Sequence, residues 1–91
     1  MGEVVRQVVL GNKYGLHVRP ATMLAQTASR FTAGILISKD GVEVDGKSVL
    51  EMISLGAECG SELVIRAEGD DAEEAVASLE ELVKSRFHEE E

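Results

Sequence analysis

The dipeptide Asp40-Gly41 lies between two short runs of aliphatic and β-branched residues, 35–38 and 42–44. Asp-Gly at such a place is typical of a tight β-hairpin, because glycine tolerates the positive φ that the turn requires. A hairpin makes the two runs antiparallel neighbours in one sheet. This feature predicts a fold built at least in part on antiparallel strands.

Two further strands are predicted, one on each side of this hairpin in the sequence. Residues 4–10 place Val4, Val8 and Leu10 in one phase, which indicates a strand with one buried face. Residues 62–67 contain a run of aliphatic residues and predict the last strand. The sheet therefore has four predicted strands.

Helical spacing of apolar residues separates these strands. A first helix follows Pro20, which suits the first turn, and Gly34 closes its segment. A second, short helix runs up to Gly56 from a capping box in which Ser48 is the N-cap and Glu51 stands three residues later.

The third helix is predicted to follow Asp70, with Glu73 completing its cap. The order of elements is then β-α-β-β-α-β-α, which implies an α+β fold with an antiparallel sheet and its helices on one face. We expect one domain over residues 1–91, with an acidic tail at about 88–91.

Composition excludes several classes of function. The single cysteine, Cys59, cannot form an internal disulfide, so a reducing, cytoplasmic location is expected for a chain with no apparent leader or membrane span. A net charge of -8 and three aromatic residues argue against binding of nucleic acid. His88 has no neighbouring ligand residues, and no metal site is predicted.

The segment 15–20, Gly-Leu-His-Val-Arg-Pro, is the candidate site for chemistry. It places His17 at the start of a predicted helix, where unpaired backbone N–H groups and the helix dipole attract anions. Arg19 adds a planar cation suited to phosphate oxygens. A neutral imidazole here is a competent nucleophile, so a phosphohistidine fits, although a loop or cap histidine would have the same pattern.

The chain resembles the histidine-containing phosphocarrier (HPr) family of the bacterial phosphoenolpyruvate-dependent phosphotransferase system. The resemblance runs from about residue 4 to 83 and rests on three stretches in order: 15–21, 46–56 and 67–71. The family has an open-faced β-sandwich, in which four antiparallel strands are covered by three helices. That architecture agrees with the element order predicted above.

The resemblance implies a covalent carrier rather than an enzyme, with no cofactor and a monomeric state. Phosphorylated enzyme I would phosphorylate His17, an enzyme IIA-type protein would accept the group, and Arg19 would stabilise the phosphoryl oxygens. The resemblance also implies one docking surface for both partners, through the apolar residues around the histidine and a neighbouring lysine. These residues are Thr22, Met23, Lys47, Val49, Leu50 and Ile53.

Ser48 has a second reading besides that of a helix cap. In some family members the serine at this position is phosphorylated by a dedicated ATP-dependent kinase, and a phosphoserine here would add charge to the docking surface. The chain departs from the family pattern at Gln26, Ser29 and Glu51, which weakens the basic rim. Sugar uptake, a nitrogen-related regulatory branch, and a binding module controlled through Ser48 are the functions that the sequence leaves open.

Overall fold

The computed structural model describes residues 2–89 of the chain. Four strands and three helices follow one another in the predicted order, and a short left-handed turn, Arg86–His88, follows the last helix. Their bounds are β1 Gly2–Val9, α1 Val18–Ala28, β2 Gly34–Lys39, β3 Val42–Asp45, α2 Val49–Ile53, β4 Glu62–Gly69 and α3 Ala72–Lys84.

The four strands form one antiparallel sheet in the order β1-β4-β2-β3. β4 lies between β1 and β2, with Arg6 opposite Ile65 and Ile37 opposite the same residue on the other side. The last strand of the chain therefore lies inside the sheet, and β1 and β3 are its edges. The predicted α+β open-faced sandwich is confirmed.

The hairpin predicted at Asp40-Gly41 joins β2 to β3. Both turn residues have positive φ, 52° at Asp40 and 85° at Gly41. Two consecutive positive φ values match the twist of a two-residue antiparallel hairpin, so the register of the pair follows from the turn.

The hydrophobic core lies between the sheet and its helices. Inward-facing strand residues, such as Val8, Ile37 and Ile65, belong to one buried cluster with Val76 and Leu79 of α3, both of which are inaccessible to solvent. The opposite face of the sheet is open, and Val5, Val9 and Leu36 are exposed there. The helices thus cover one face of the sheet.

Two local details differ from the sequence prediction, although α1 begins at Val18 and Pro20 lies in its first turn, as expected. Gly34 opens β2 instead of closing the helical segment. The N-cap of α3 is Asp71, and Asp70 precedes it.

The side chain of Asp71 makes no cap hydrogen bond to its own helix. Its carboxylate instead accepts from the backbone N–H groups of Thr32 and Ala33, at 2.9 and 2.8 Å. The N–H donation from Thr32 is the main cause that lowers the pKa of Asp71 from its ordinary value. Sequence spacing could not reveal this use, because it joins segments that are distant in the chain.

Within residues 2–89 no helix has the length and apolar character needed to cross a membrane. The domain limits of 1–91 stay a prediction. Of the expected acidic tail, Glu90 and Glu91 lie outside the described residues, whereas Glu89 belongs to the site described next.

Candidate functional site

His17 is the N-cap residue of α1. Its backbone is extended, with φ of -89° and ψ of -168°, and its imidazole makes no cap hydrogen bond to the helix. The first helical bond runs from the N–H of Ala21 to the carbonyl of His17 at 3.0 Å. The N–H groups of Val18 and Arg19 therefore precede the first carbonyl-bonded turn and are available to an anion, as expected at a helix N-terminus.

The loop before His17 is tightly packed. Gly15 has a φ of 67°, and a Cβ atom there would lie 2.5 Å from the carbonyl oxygen of Ala57. The N–H of Leu16 donates to that same carbonyl at 3.0 Å, and the fully buried Asn12 donates from Nδ2 to the carbonyl of Gly15 at 2.7 Å. Glycine is required at position 15 by both the positive φ and the close approach, so the loop holds His17 in one place.

Arg19 and His17 are joined by one carboxylate oxygen. The Oε2 atom of Glu89 lies 3.1 Å from Nε2 of His17 and 3.2 Å from a terminal guanidinium nitrogen of Arg19. The side chains of His17 and Arg19 are 40% and 50% exposed, so both remain accessible from solvent. The ring and the guanidinium thus lie close enough for a single anionic oxygen to contact both.

The segment after α3 brings Glu89 to this place. Phe87 is completely buried, and Arg86, Phe87 and His88 have positive φ values of 55°, 56° and 58°. The N–H of Glu89 then donates to the carbonyl of Arg86 at 3.0 Å. From the sequence, Glu89 is expected to belong to an acidic tail, and no pattern indicates its role, because non-glycine residues rarely adopt this left-handed turn. His88 is exposed, as expected.

An aromatic ring beside the histidine was also not among the predicted site residues. Tyr14 meets the imidazole of His17 edge to face, with ring centroids 6.0 Å apart, and it is 68% exposed. Val18, the first residue of α1, is exposed as well. The surface next to His17 therefore carries more apolar area than the motif alone indicates.

The six predicted partner-binding residues divide between α1, α2 and the approach to α2. Leu50 is 80% exposed, whereas Met23, Val49 and Ile53 are half-buried and pack against the core. Thr22 Oγ1 donates to the carbonyl of Val18 at 2.7 Å.

Lys47 has a structural role in this region. Its Nζ donates to the carbonyl of Phe31 at 2.9 Å and thereby ties the approach of α2 to the end of the α1 segment. Contact with a partner stays a prediction for all six residues, with Leu50 the most accessible of them.

Ser48 is the N-cap of α2, as predicted. Its hydroxyl oxygen accepts from the N–H of Glu51 at 3.3 Å. The reciprocal half of the capping box is absent, because the carboxylate of Glu51 accepts from the N–H of Asp45 at 3.0 Å and so braces the preceding turn. Among the described residues no group of three or more histidine, cysteine or acidic side chains could hold a metal ion.

Comparison with known proteins gives the same family as the motif. The family model for the HPr component of the phosphotransferase system (PTS), which describes its phosphorylation site, matches residues 4–85. The phosphocarrier protein HPr of Treponema pallidum is 39% identical over 87 residues, covering 96% of this chain and 99% of that protein.

Solved structures agree with this assignment. A crystal structure of HPr-C-His from Thermoanaerobacter tengcongensis has a TM-score of 0.91 and 44% identity, and the match covers all of both chains. A crystal structure of an HPr dimer from the same organism has a TM-score of 0.77 and 44% identity, covering 90% of this chain and 94% of that one. The chain belongs to the HPr family of phosphocarrier proteins of the phosphotransferase system.

Proposed function

We propose that this protein accepts a phosphoryl group on the imidazole of His17 from phosphorylated enzyme I and passes it to an enzyme IIA-type protein. The observation that carries the proposal is the placement of His17: it is half-exposed, it is the N-cap residue of α1, and the same carboxylate oxygen contacts both its ring and the guanidinium of Arg19. A group transferred to this ring arrives at a helix N-terminus beside a fixed cation. Both features favour a dianion.

The transfer forms one bond and breaks another. A lone pair of an imidazole nitrogen of His17 forms the new N–P bond, while the bond between phosphorus and the donor breaks and its electron pair stays with the donor. Arg19 and the first-turn N–H groups of α1 stabilise the charge on the three phosphoryl oxygens during this exchange. The chain acts as the covalent intermediate of a relay, not as an enzyme with turnover of its own, and it needs no cofactor.

The docking surface that we propose for donor and acceptor surrounds His17 and includes Leu50 on α2. Leu50 is largely exposed, and Tyr14 and Val18 add further exposed apolar area next to the histidine. Five less exposed residues would support this surface from the core side: Thr22, Met23, Lys47, Val49 and Ile53. Because one surface faces both partners, donor and acceptor must bind in turn.

A relay assay tests this function. The chain, isotopically labelled through enzyme I and phosphoenolpyruvate and then purified, is expected to lose its label to an enzyme IIA-type protein added in excess. Each labelled molecule should transfer its single phosphoryl group to the enzyme IIA-type protein. No label should be lost to bovine serum albumin, which serves as the control protein. Retention of the label in the presence of every enzyme IIA protein of the host would contradict a carrier role.

We also propose that phosphorylation of Ser48 by a serine kinase, reversed by a phosphorylase, weakens docking. The hydroxyl of Ser48 already accepts a hydrogen bond at the start of α2, and Leu50 of the docking surface lies two residues further on. A phosphate there would place negative charge inside an apolar surface and would repel an acidic partner. Negative charge at the start of the helix would not by itself destabilise α2.

Two substitutions distinguish the structural role of Ser48 as a helix cap from its proposed regulatory role as a phosphorylation site. Ser48→Ala is expected to lower the free energy of unfolding by about 0.5–2 kcal/mol, because it removes the N-cap acceptor, with little effect on phosphorylation of His17. Ser48→Asp keeps an acceptor and should preserve stability while weakening the affinity for enzyme I. Thermal unfolding and titration calorimetry of both variants measure this. Parental affinity in Ser48→Asp would leave the serine only its role as a cap.

We place the protein in the cytoplasm, as a monomer, in sugar uptake and its regulation. Gln26, Ser29 and Glu51 are exposed where the family often carries basic or small residues, which leaves a nitrogen-related branch as the alternative. Phosphorylation by the sugar-branch and the nitrogen-branch enzyme I, compared side by side, distinguishes the two.

A further inference from the structure

Glu89 brings a shielded carboxylate to the ring of His17 from the far end of the chain. Its side chain is only 14% exposed, less than either of the two groups that it contacts. Solvent therefore screens this interaction less than it screens an ordinary surface ion pair. The contact has the geometry of a true hydrogen bond, with 3.1 Å between Oε2 and Nε2.

The chemistry of the two groups fixes the position of a proton. An ionised carboxylate has no hydrogen to donate, so Nε2 of His17 must be the donor. A neutral imidazole carries one N–H group, and the other nitrogen then has its lone pair free. The contact with Glu89 accordingly leaves Nδ1 as the nucleophilic atom of the ring.

We propose that Glu89 is a positioning residue for phosphoryl transfer: its carboxylate holds His17 as the Nε2–H tautomer and stabilises the positive charge that the ring gains when Nδ1 bonds to phosphorus. This rests on the proposed function and assigns one further residue to it. In the transfer, the lone pair of Nδ1 forms the N–P bond and the donor keeps the electron pair of the bond that breaks. Nε2 retains its proton, which it shares with Glu89.

The carboxylate is itself held from two sides. Arg19 donates to the same Oε2 atom, and a guanidinium has five N–H donors, so this contact leaves others for phosphoryl oxygens. The backbone that carries Glu89 is held as well, because the buried ring of Phe87 anchors the left-handed turn from which Glu89 projects. Glu89 is therefore fixed relative to the imidazole rather than one of many exposed acidic residues.

The first arm of the test observes the ring without any partner. Nitrogen-15 NMR of the imidazoles is recorded on the protein alone, in alkaline buffer. His88, the second of the two histidines and exposed, is the internal reference. In the parent protein His17 should be the Nε2–H tautomer with a proton that exchanges slowly with water; in Glu89→Ala its shifts and exchange should approach those of His88.

The second arm measures single-turnover transfer from phosphorylated enzyme I. Glu89→Ala should slow it by about two- to fivefold, the size expected from loss of an ion pair whose cationic partners are half-exposed. Glu89→Gln keeps an acceptor oxygen, so it should retain the tautomer but share the slower rate. Glu81→Ala, which removes an equal charge from an exposed position of α3, should change neither measurement.

Unchanged His17 shifts, or an unchanged transfer rate, in Glu89→Ala would overturn the proposal, as would an Nδ1–H tautomer in the parent. Failure of the parent protein to accept any phosphoryl group would contradict the proposed function instead. The NMR arm is independent of that outcome. Equal melting temperatures of all variants show that the fold is retained.

Discussion

Replacement of His17 by alanine is expected to abolish acceptance of the phosphoryl group while the fold stays intact. The imidazole supplies the only bond to phosphorus in the proposed relay, so no partial activity should remain. Stability should change little, because the side chain of His17 makes no cap hydrogen bond to α1 and is half-exposed. Intact-mass measurement after incubation with enzyme I and phosphoenolpyruvate gives the readout.

His88→Ala is the matched control for this substitution. It removes the other histidine of the chain, which is exposed and follows α3. This variant should be phosphorylated as fully as the parent protein. Phosphorylation of His17→Ala would place the acceptor on another residue, and its unfolding would make the loss uninformative, so near-parental thermal stability is part of the expected result.

Arg19→Ala should slow phosphoryl transfer by an amount equal to about 2–4 kcal/mol of transition-state stabilisation, with a much smaller effect on docking. The guanidinium lies beside the ring, and its contact with phosphoryl oxygens strengthens as charge redistributes on the moving group. Single-turnover rates at saturating phosphorylated enzyme I, compared with binding affinities, separate these effects. An unchanged rate would show that the guanidinium is dispensable.

Arg19 also contacts Glu89, so its two roles have to be separated. If Arg19 acts on the phosphoryl group, Arg19→Ala should slow transfer by a similar factor in the Glu89→Ala background. If it served only to hold Glu89, the second substitution would add nothing. Arg30→Ala, at an exposed arginine just beyond α1, controls for loss of a positive charge.

The fold was predictable because its signals are local. The Asp40-Gly41 turn fixed one strand pair, and alternation within segments 4–10 and 62–67 predicted two more strands. The order of elements then restricted the sheet to an antiparallel arrangement with helices on one face. Two local details differ from the prediction: Gly34 opens β2, and Asp71 rather than Asp70 is the N-cap residue of α3.

The site was predictable only in its contiguous part. Gly15, His17 and Arg19 lie within one short motif, and the structure places them together at the start of α1. Glu89 is 72 positions from His17 and arrives through a left-handed turn of non-glycine residues, which neither propensity nor spacing signals. The same limit applies to Asp71, whose carboxylate serves a turn far away in the sequence.

One measurement tests most directly whether His17 carries a phosphoryl group. The parent protein is incubated with enzyme I and phosphoenolpyruvate, its mass is determined, and the modified residue is located by fragmentation under mild alkaline conditions. We predict the addition of a single phosphoryl group on His17 that is lost in acid and stable in base. No added mass, or a phosphoryl group that survives acid or lies on another residue, would contradict the account.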